Sequence, residues 1–93
     1  MKFEWNPRKA VANSTKHGVS FNEALTVFAD GMARIFDDVA HSADERREII
    51  IGHSSRQRLL VVSFAERQDS VRIISARKAT RLEQHDYEEG TRS

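Results

Sequence analysis

The residues best suited to chemistry are basic, and they fall near the ends of β-rich segments in the second half of the chain. Arg58 opens one such segment and Arg67 stands at the turn that closes it. Arg72, Arg77 and Lys78 lie on the next segment or at its exit. A guanidinium is planar, permanently charged and able to hold two phosphate oxygens at once, so this set could grip a phosphodiester. The same side chains could instead be solvated or paired with Glu66, Asp69 and Glu83 nearby. Imidazole is the usual proton carrier near neutral pH. His17, beside Lys16, ends a helix-forming segment, where the helix dipole favours cations. A catalytic role and a capping role are equally open for both. His53 is placed at a strand end facing Arg58, while His41 and His85 sit in polar surroundings and read as solvated. The four histidines lack metal-ligand spacing, so no zinc site and no cofactor is expected. Ser54-Ser55 reads as turn chemistry. Without cysteine there is no disulfide, thiolate metal site or cysteine nucleophile.

The chain that must position these groups has 93 residues, 39% hydrophobic and 31% charged, with a formal net charge of +1. That is a globular composition with room for one domain, residues 1–93, and one modest core. The near-neutral balance means that any polyanion would have to meet a local patch. No apolar run approaches the roughly 20 residues that span a bilayer, and the first residues lack a signal-peptide core. A cytoplasmic location with no membrane contact is therefore expected.

Lys2 to Trp5 alternates like a strand, and Phe3 and Trp5 are assigned to opposite faces, leaving one for a partner. Asn6 and Pro7 begin a helix that runs to His17 and stops at Gly18. Ser20 and Glu23 form a reciprocal capping box, followed by a helical stripe of Phe21, Ala24, Leu25 and Phe28. Strands are predicted over Met32–Phe36, Glu48–His53, Arg58–Glu66 and Val71–Lys78, with an acidic loop from Asp37 to Glu45. Thr80 and Glu83 form a second capping box for a helix from Arg81 to Glu89, ending at Gly90. The order is β-α-α-β-β-β-β-α, an α+β fold with an antiparallel sheet packed on two N-terminal helices. A turn that pairs Glu66 with Val71 would pair Leu60 with Arg77. It would put Leu60, Val62, Phe64, Val71 and Ile73 on one face, and Ser63, Ala65, Arg72, Ala76 and Lys78 on the other. Tyr87 could stack on a base or anchor the last helix on the sheet.

Two runs resemble a known family. Lys16-His17-Gly18-Val19-Ser20-Phe21 with Glu23-Ala24 is similar to the N-terminal signature of the BrnT toxins. Arg72-Ile73-Ile74-Ser75-Ala76-Arg77-Lys78-Ala79-Thr80, with Glu83 and Tyr87 behind it, is similar to their C-terminal signature, and Phe3 to Pro7 fits the family's opening. The resemblance implies a RelE/ParE-like fold and a ribonuclease toxin of a type II toxin–antitoxin pair that arrests translation. It also implies a BrnA antitoxin with a ribbon-helix-helix DNA-binding part, a heterotetramer of two toxins and two antitoxins, and operator binding only through the antitoxin.

RNA carries its own nucleophile, the 2′-hydroxyl, so its cleavage needs a base, an acid and cations around the phosphorane, with no metal required. On this reading Arg77, Lys78, Arg67, His17 and Lys16 are the catalytic candidates, and Arg72, Arg58 and Tyr87 the substrate-binding ones. Arg77 stands foremost because it lies inside the matching run. A non-enzymatic toxin that docks through its last helix, or a corepressor acting only through protein partners, is the alternative. The acidic loop could repel RNA or attract a basic stretch of the antitoxin.

Overall fold

The computed structural model describes residues 1–41 and 45–92. Its elements are β1 (Lys2–Glu4), α1 (Pro7–His17), α2 (Phe21–Leu25), β2 (Arg34–Asp37), β3 (Glu48–His53), β4 (Leu59–Arg67), β5 (Ser70–Lys78) and α3 (Arg81–Arg92). Short 3₁₀ turns at Thr26–Ala29 and Val39–His41 complete the order. This is the α+β sequence of elements expected. The five strands lie in the order β1-β5-β4-β3-β2. β2 to β5 pair antiparallel, as short connections require, whereas β1 joins β5 in parallel, Lys2 opposite Ser70 and Glu4 opposite Arg72. The expected all-antiparallel sheet is therefore mixed at one edge. β1 reaches β5 through most of the chain rather than a hairpin, so nothing forces it to run antiparallel.

Local chemistry explains the helix ends. The Asn6 Oδ1 accepts from the backbone N–H groups of Arg8 (2.9 Å) and Lys9 (3.3 Å), and Pro7 needs no partner there. Gly18 ends α1 at φ 68°, in the left-handed region that a side chain would strain. The Ser20 Oγ accepts from the Glu23 N–H at 3.0 Å, but the Glu23 carboxylate does not turn back to cap. The first capping box is thus half-made, and that carboxylate is spent elsewhere. The predicted stripe also changes. α2 tightens into a 3₁₀ turn after Leu25, so fully buried Val27 joins Phe21 and Ala24, while Phe28 is half-buried against Phe3 and Phe64.

α1 and α2 cover one face of the sheet, where Val19, Phe21, Val27, Ile50, Leu60, Val62, Phe64, Val71 and Ile73 form the main core. Phe3 and Trp5 both pack on this core. Their assignment to opposite faces is corrected, because residues two apart on a strand share a face. Asn13, 7% exposed in mid-helix, ties α1 to β5. Its Nδ2 donates to the carbonyls of Ala76 (2.8 Å) and Val19 (2.9 Å), and its Oδ1 accepts from the Ala76 N–H (3.1 Å). β1 pairs β5 only from Ser70 to Arg72. Beyond that point Asn13 does the work of a missing strand, satisfying an edge that would otherwise be buried unpaired.

The other face carries a small cluster of Ile51, Val61 and Tyr87 where α3 crosses it. α3 continues through Gly90 to Arg92 instead of stopping. The glycine lies against the Arg34 guanidinium, where a Cβ would collide. It permits a close approach rather than ending the helix.

Candidate functional site

The register of β4 and β5 decides which residues meet on the open face. Glu66 pairs with Val71, as expected, but Leu60 pairs with Lys78 and not with Arg77. The pairing steps from Phe64–Ile73 to Ser63–Ser75, leaving Ile74 as a β-bulge. One extra residue reverses the alternation beyond it. Ala76 therefore joins the main core and Lys78, opposite Leu60, follows it to the helix-covered side. The expected placement of Ala76 and Lys78 on the small-residue face is corrected. Ser75 and Arg77 take that face, opposite Ser63 and Val61. The Arg67, Arg72 and Arg77 positions then share one side of the sheet with Val61, Ser63 and Ala65.

Each of these arginines meets a carboxylate. Arg77 makes a two-pronged pair with Glu83 of α3, Nη1 to Oε1 at 2.7 Å and Nη2 to Oε2 at 2.9 Å. Glu83 also completes the second capping box in full. Its Oε1 accepts from the Thr80 N–H (2.9 Å), and its own N–H donates to the Thr80 Oγ1 (3.1 Å). The guanidinium, more than the cap, holds the Glu83 carboxyl at about 2, and the same pair raises Arg77 above its ordinary value. The side chains remain 41% and 33% exposed. Arg67 and Arg72 share Glu45, Arg67 at 3.4 Å. The buried Arg72 Nε has no hydrogen-bond partner. Asp37 pairs with Arg46 at 2.7 Å. The acidic loop thus leans on the cationic face. Asp44, one of its acids, lies outside the described residues.

Two hollows flank Arg77. One, about 350 Å³, is lined by Asp38, His41, Arg47, Ser63, Ser75 and Arg77, with Ile49, Val61 and Ile74 as its apolar part. The other, about 310 Å³, lies under α3 between Arg34, Phe36, Ile51, Glu83 and Tyr87. His41 and Arg47 were not among the sequence candidates. The His41 Nδ1 lies 3.1 Å from both carboxylate oxygens of Asp38. The available signal was an aspartate three residues before a histidine in a loop, which many solvated loops also carry.

The remaining candidates are dispersed. Lys16 and His17 end α1, whose Ala10 packs on the core across the sheet from Arg77. Arg58 points to α2. Its Nε lies 2.9 Å from Glu23 Oε2, a second prong reaches Oε1, and Nη2 donates to the Gly18 carbonyl at 3.1 Å. Ser54 Oγ donates to the same carboxylate at 2.6 Å. Glu23 is 5% exposed, and the Arg58 hydrogen bond lowers its pKa against the cost of burial. Tyr87 is 5% exposed, and its hydroxyl donates to the Met32 carbonyl (3.2 Å) and toward Asp30 (3.4 Å). It anchors α3. His53 does not face Arg58. Its N–H donates to Asp30 Oδ2 at 2.7 Å and its ring packs edge-on against Tyr87.

The mixed sheet carries α1 and α2 on one face, and α3 beside a set of arginines on the other; comparison with known proteins supplies the class. Residues 5–83 match the family model described as the ribonuclease toxin BrnT of type II toxin–antitoxin systems. The chain belongs to the BrnT family. The crystal structure of the Brucella abortus ribonuclease toxin BrnT is similar to it, with a TM-score of 0.68 and 26% identity over 87% of this chain and 99% of that one. No curated protein matches. As a type II toxin family, BrnT implies an antitoxin partner. Among the described residues no helix is long and apolar enough to cross a membrane.

Proposed function

We propose that the chain is an endoribonuclease that cleaves single-stranded RNA on its open sheet face, without metal, and so arrests translation. The observation that carries this reading is the bulge at Ile74, which brings Arg77 onto the side of Arg67 and Arg72 and into the wall of a hollow with Ser63 and Ser75. The substrate's 2′-hydroxyl attacks its own phosphorus. Arg77 holds the phosphate oxygens as negative charge builds on them, and Arg72 and Arg67 track the neighbouring phosphates. RNA takes the place of Glu83 and Glu45 as the partner of these cations. Arg58 and Tyr87 hold the fold together in this reading, and Lys16, His17 and Lys78 lie away from the scissile bond. The partner is a BrnA-type ribbon-helix-helix antitoxin in a complex of two toxins and two antitoxins, with operator DNA reached only through the antitoxin. The site of action is the cytoplasm, where messenger RNA is translated.

The test is incubation of the purified chain with a transcribed messenger RNA in EDTA, free and in a translating extract. Cleavage to a 2′,3′-cyclic phosphate and a 5′-hydroxyl, lost in Arg77→Gln, is the expected result. Intact RNA in both settings removes the reading.

A further inference from the structure

We propose that His41, positioned by Asp38, is the side chain that carries the proton in this cleavage, an assignment that rests on the ribonuclease reading above. Three observations lead to it. His41 lines the same hollow as Arg77, Ser63 and Ser75. Its Nδ1 is engaged by both oxygens of Asp38 at 3.1 Å, so Nε2 is the ring nitrogen left to meet a substrate. The Asp38 carboxylate is only 13% exposed while the imidazole is 68% exposed, the arrangement of a fixed anion behind a reachable base. Asp38 is itself braced, because its N–H donates to the Arg47 carbonyl at 2.9 Å, next to the start of β3.

The other histidines are placed less well. His17 lies at the end of the helix on the opposite sheet face, and His53 is packed against Tyr87 with its backbone tied to Asp30. His85 is exposed on α3.

The step balances without a co-reactant other than water. The Nε2 lone pair of neutral His41 takes the proton of the 2′-hydroxyl, and the O2′–P bond forms. The P–O5′ bond breaks, and O5′ takes a proton from water. The hydroxide left by that water receives the proton held on His41, which restores the neutral ring. Asp38 accepts the Nδ1–H throughout. It fixes the tautomer and stabilises the transient imidazolium, so it is a positioning residue.

Single-turnover cleavage of the transcribed messenger RNA in EDTA tests this with the full-length chain. His41→Ala and His41→Gln should each slow cleavage by about 100-fold or more, and the exposed site leaves their unfolding unchanged. Added imidazole should restore the His41→Ala rate in proportion to its concentration. Asp38→Asn should lower kcat with little change in KM, and should add nothing in the His41→Ala background. A His41→Ala chain that cleaves at the parent rate while Arg77→Gln is inactive overturns the assignment and leaves the ribonuclease reading standing. An inactive His41→Ala that imidazole does not rescue also overturns it. A loss from Asp38→Asn that persists without His41 rejects the role given to Asp38. RNA left intact by the parent chain removes both proposals.

Discussion

Among the described residues two bidentate arginine–glutamate pairs are alike in chemistry and unlike in setting. Arg58, at the β3–β4 turn and 25% exposed, meets Glu23 of α2, which is 5% exposed and also holds Ser54. Arg77 and Glu83 lie on the open face, both partly in water, beside two hollows. The buried Glu23 carboxylate must keep its partner, because a lone charge at that depth has little water to turn to. A half-exposed pair has a small net worth, since solvent screens it and can replace either member. The first pair therefore serves the fold. The second is the pair that the proposed function requires to open, so that a phosphate takes the place of Glu83.

The contrast predicts opposite consequences for matched changes. Glu23→Ala should lower unfolding stability in urea by about 1–3 kcal/mol, because it leaves buried Ser54 and the inner donors of Arg58 without their acceptor. A loss below about 1 kcal/mol would erase the distinction between the pairs. Arg77→Gln should leave stability within about 1 kcal/mol, yet reduce RNA cleavage by roughly 100-fold. Activity that survives this change would place the chemistry elsewhere. Asn13→Ala should cost about 1–3 kcal/mol, since it leaves both Ala76 backbone groups without their partner, and amide exchange at Ala76 should accelerate. The smallest effect belongs to Glu83. Its carboxyl ordinarily titrates near 4.5 and in the fold near 2. A depressed carboxylate adds stability above its unfolded value, and that contribution fades as pH falls through the folded one. After allowance for exposure it amounts to about 1 kcal/mol. Acid unfolding of Glu83→Gln should lack that part of the slope between pH 4.5 and 2, and the variant should bind RNA more tightly at neutral pH because Arg77 is released. Glu23 is also depressed and adds to the same acid loss, so the slope should flatten without vanishing.

Much of this architecture was legible residue by residue. Asn6, Pro7 and Gly18 mark both ends of α1 because capping is a local matter of a few backbone groups. Thr80 and Glu83 mark the start of α3 for the same reason. Glu48–His53 was read to its boundaries from a β-branched run. The candidate site was less legible. Nothing in Arg72-Ile73-Ile74-Ser75 announces a bulge, since each residue suits a regular strand. The bulge puts Ala76 in the core, where an unbroken alternation from Ile73 would have turned Ser75 and Arg77 inward. Glu23 looked like a cap because its spacing from Ser20 is that of a cap, and only a partner 35 residues away redirects it. His41 reads as solvated and is 68% exposed, but its place in a hollow with residues of β4 and β5 depends on contacts that no local pattern shows.

The amino-acid order by itself determined the family, the succession of elements, the helix ends and the apolar set that must be buried, because each depends on neighbours within a few positions or on a continuous motif. Only the tertiary structure decided that Arg77 faces the hollow and Lys78 does not. It alone made Arg58 a brace and set His41 beside Asp38 in the hollow that Arg77 lines. Those outcomes turn on strand register and on contacts between distant segments, where a single extra residue at Ile74 changes which side every later side chain occupies.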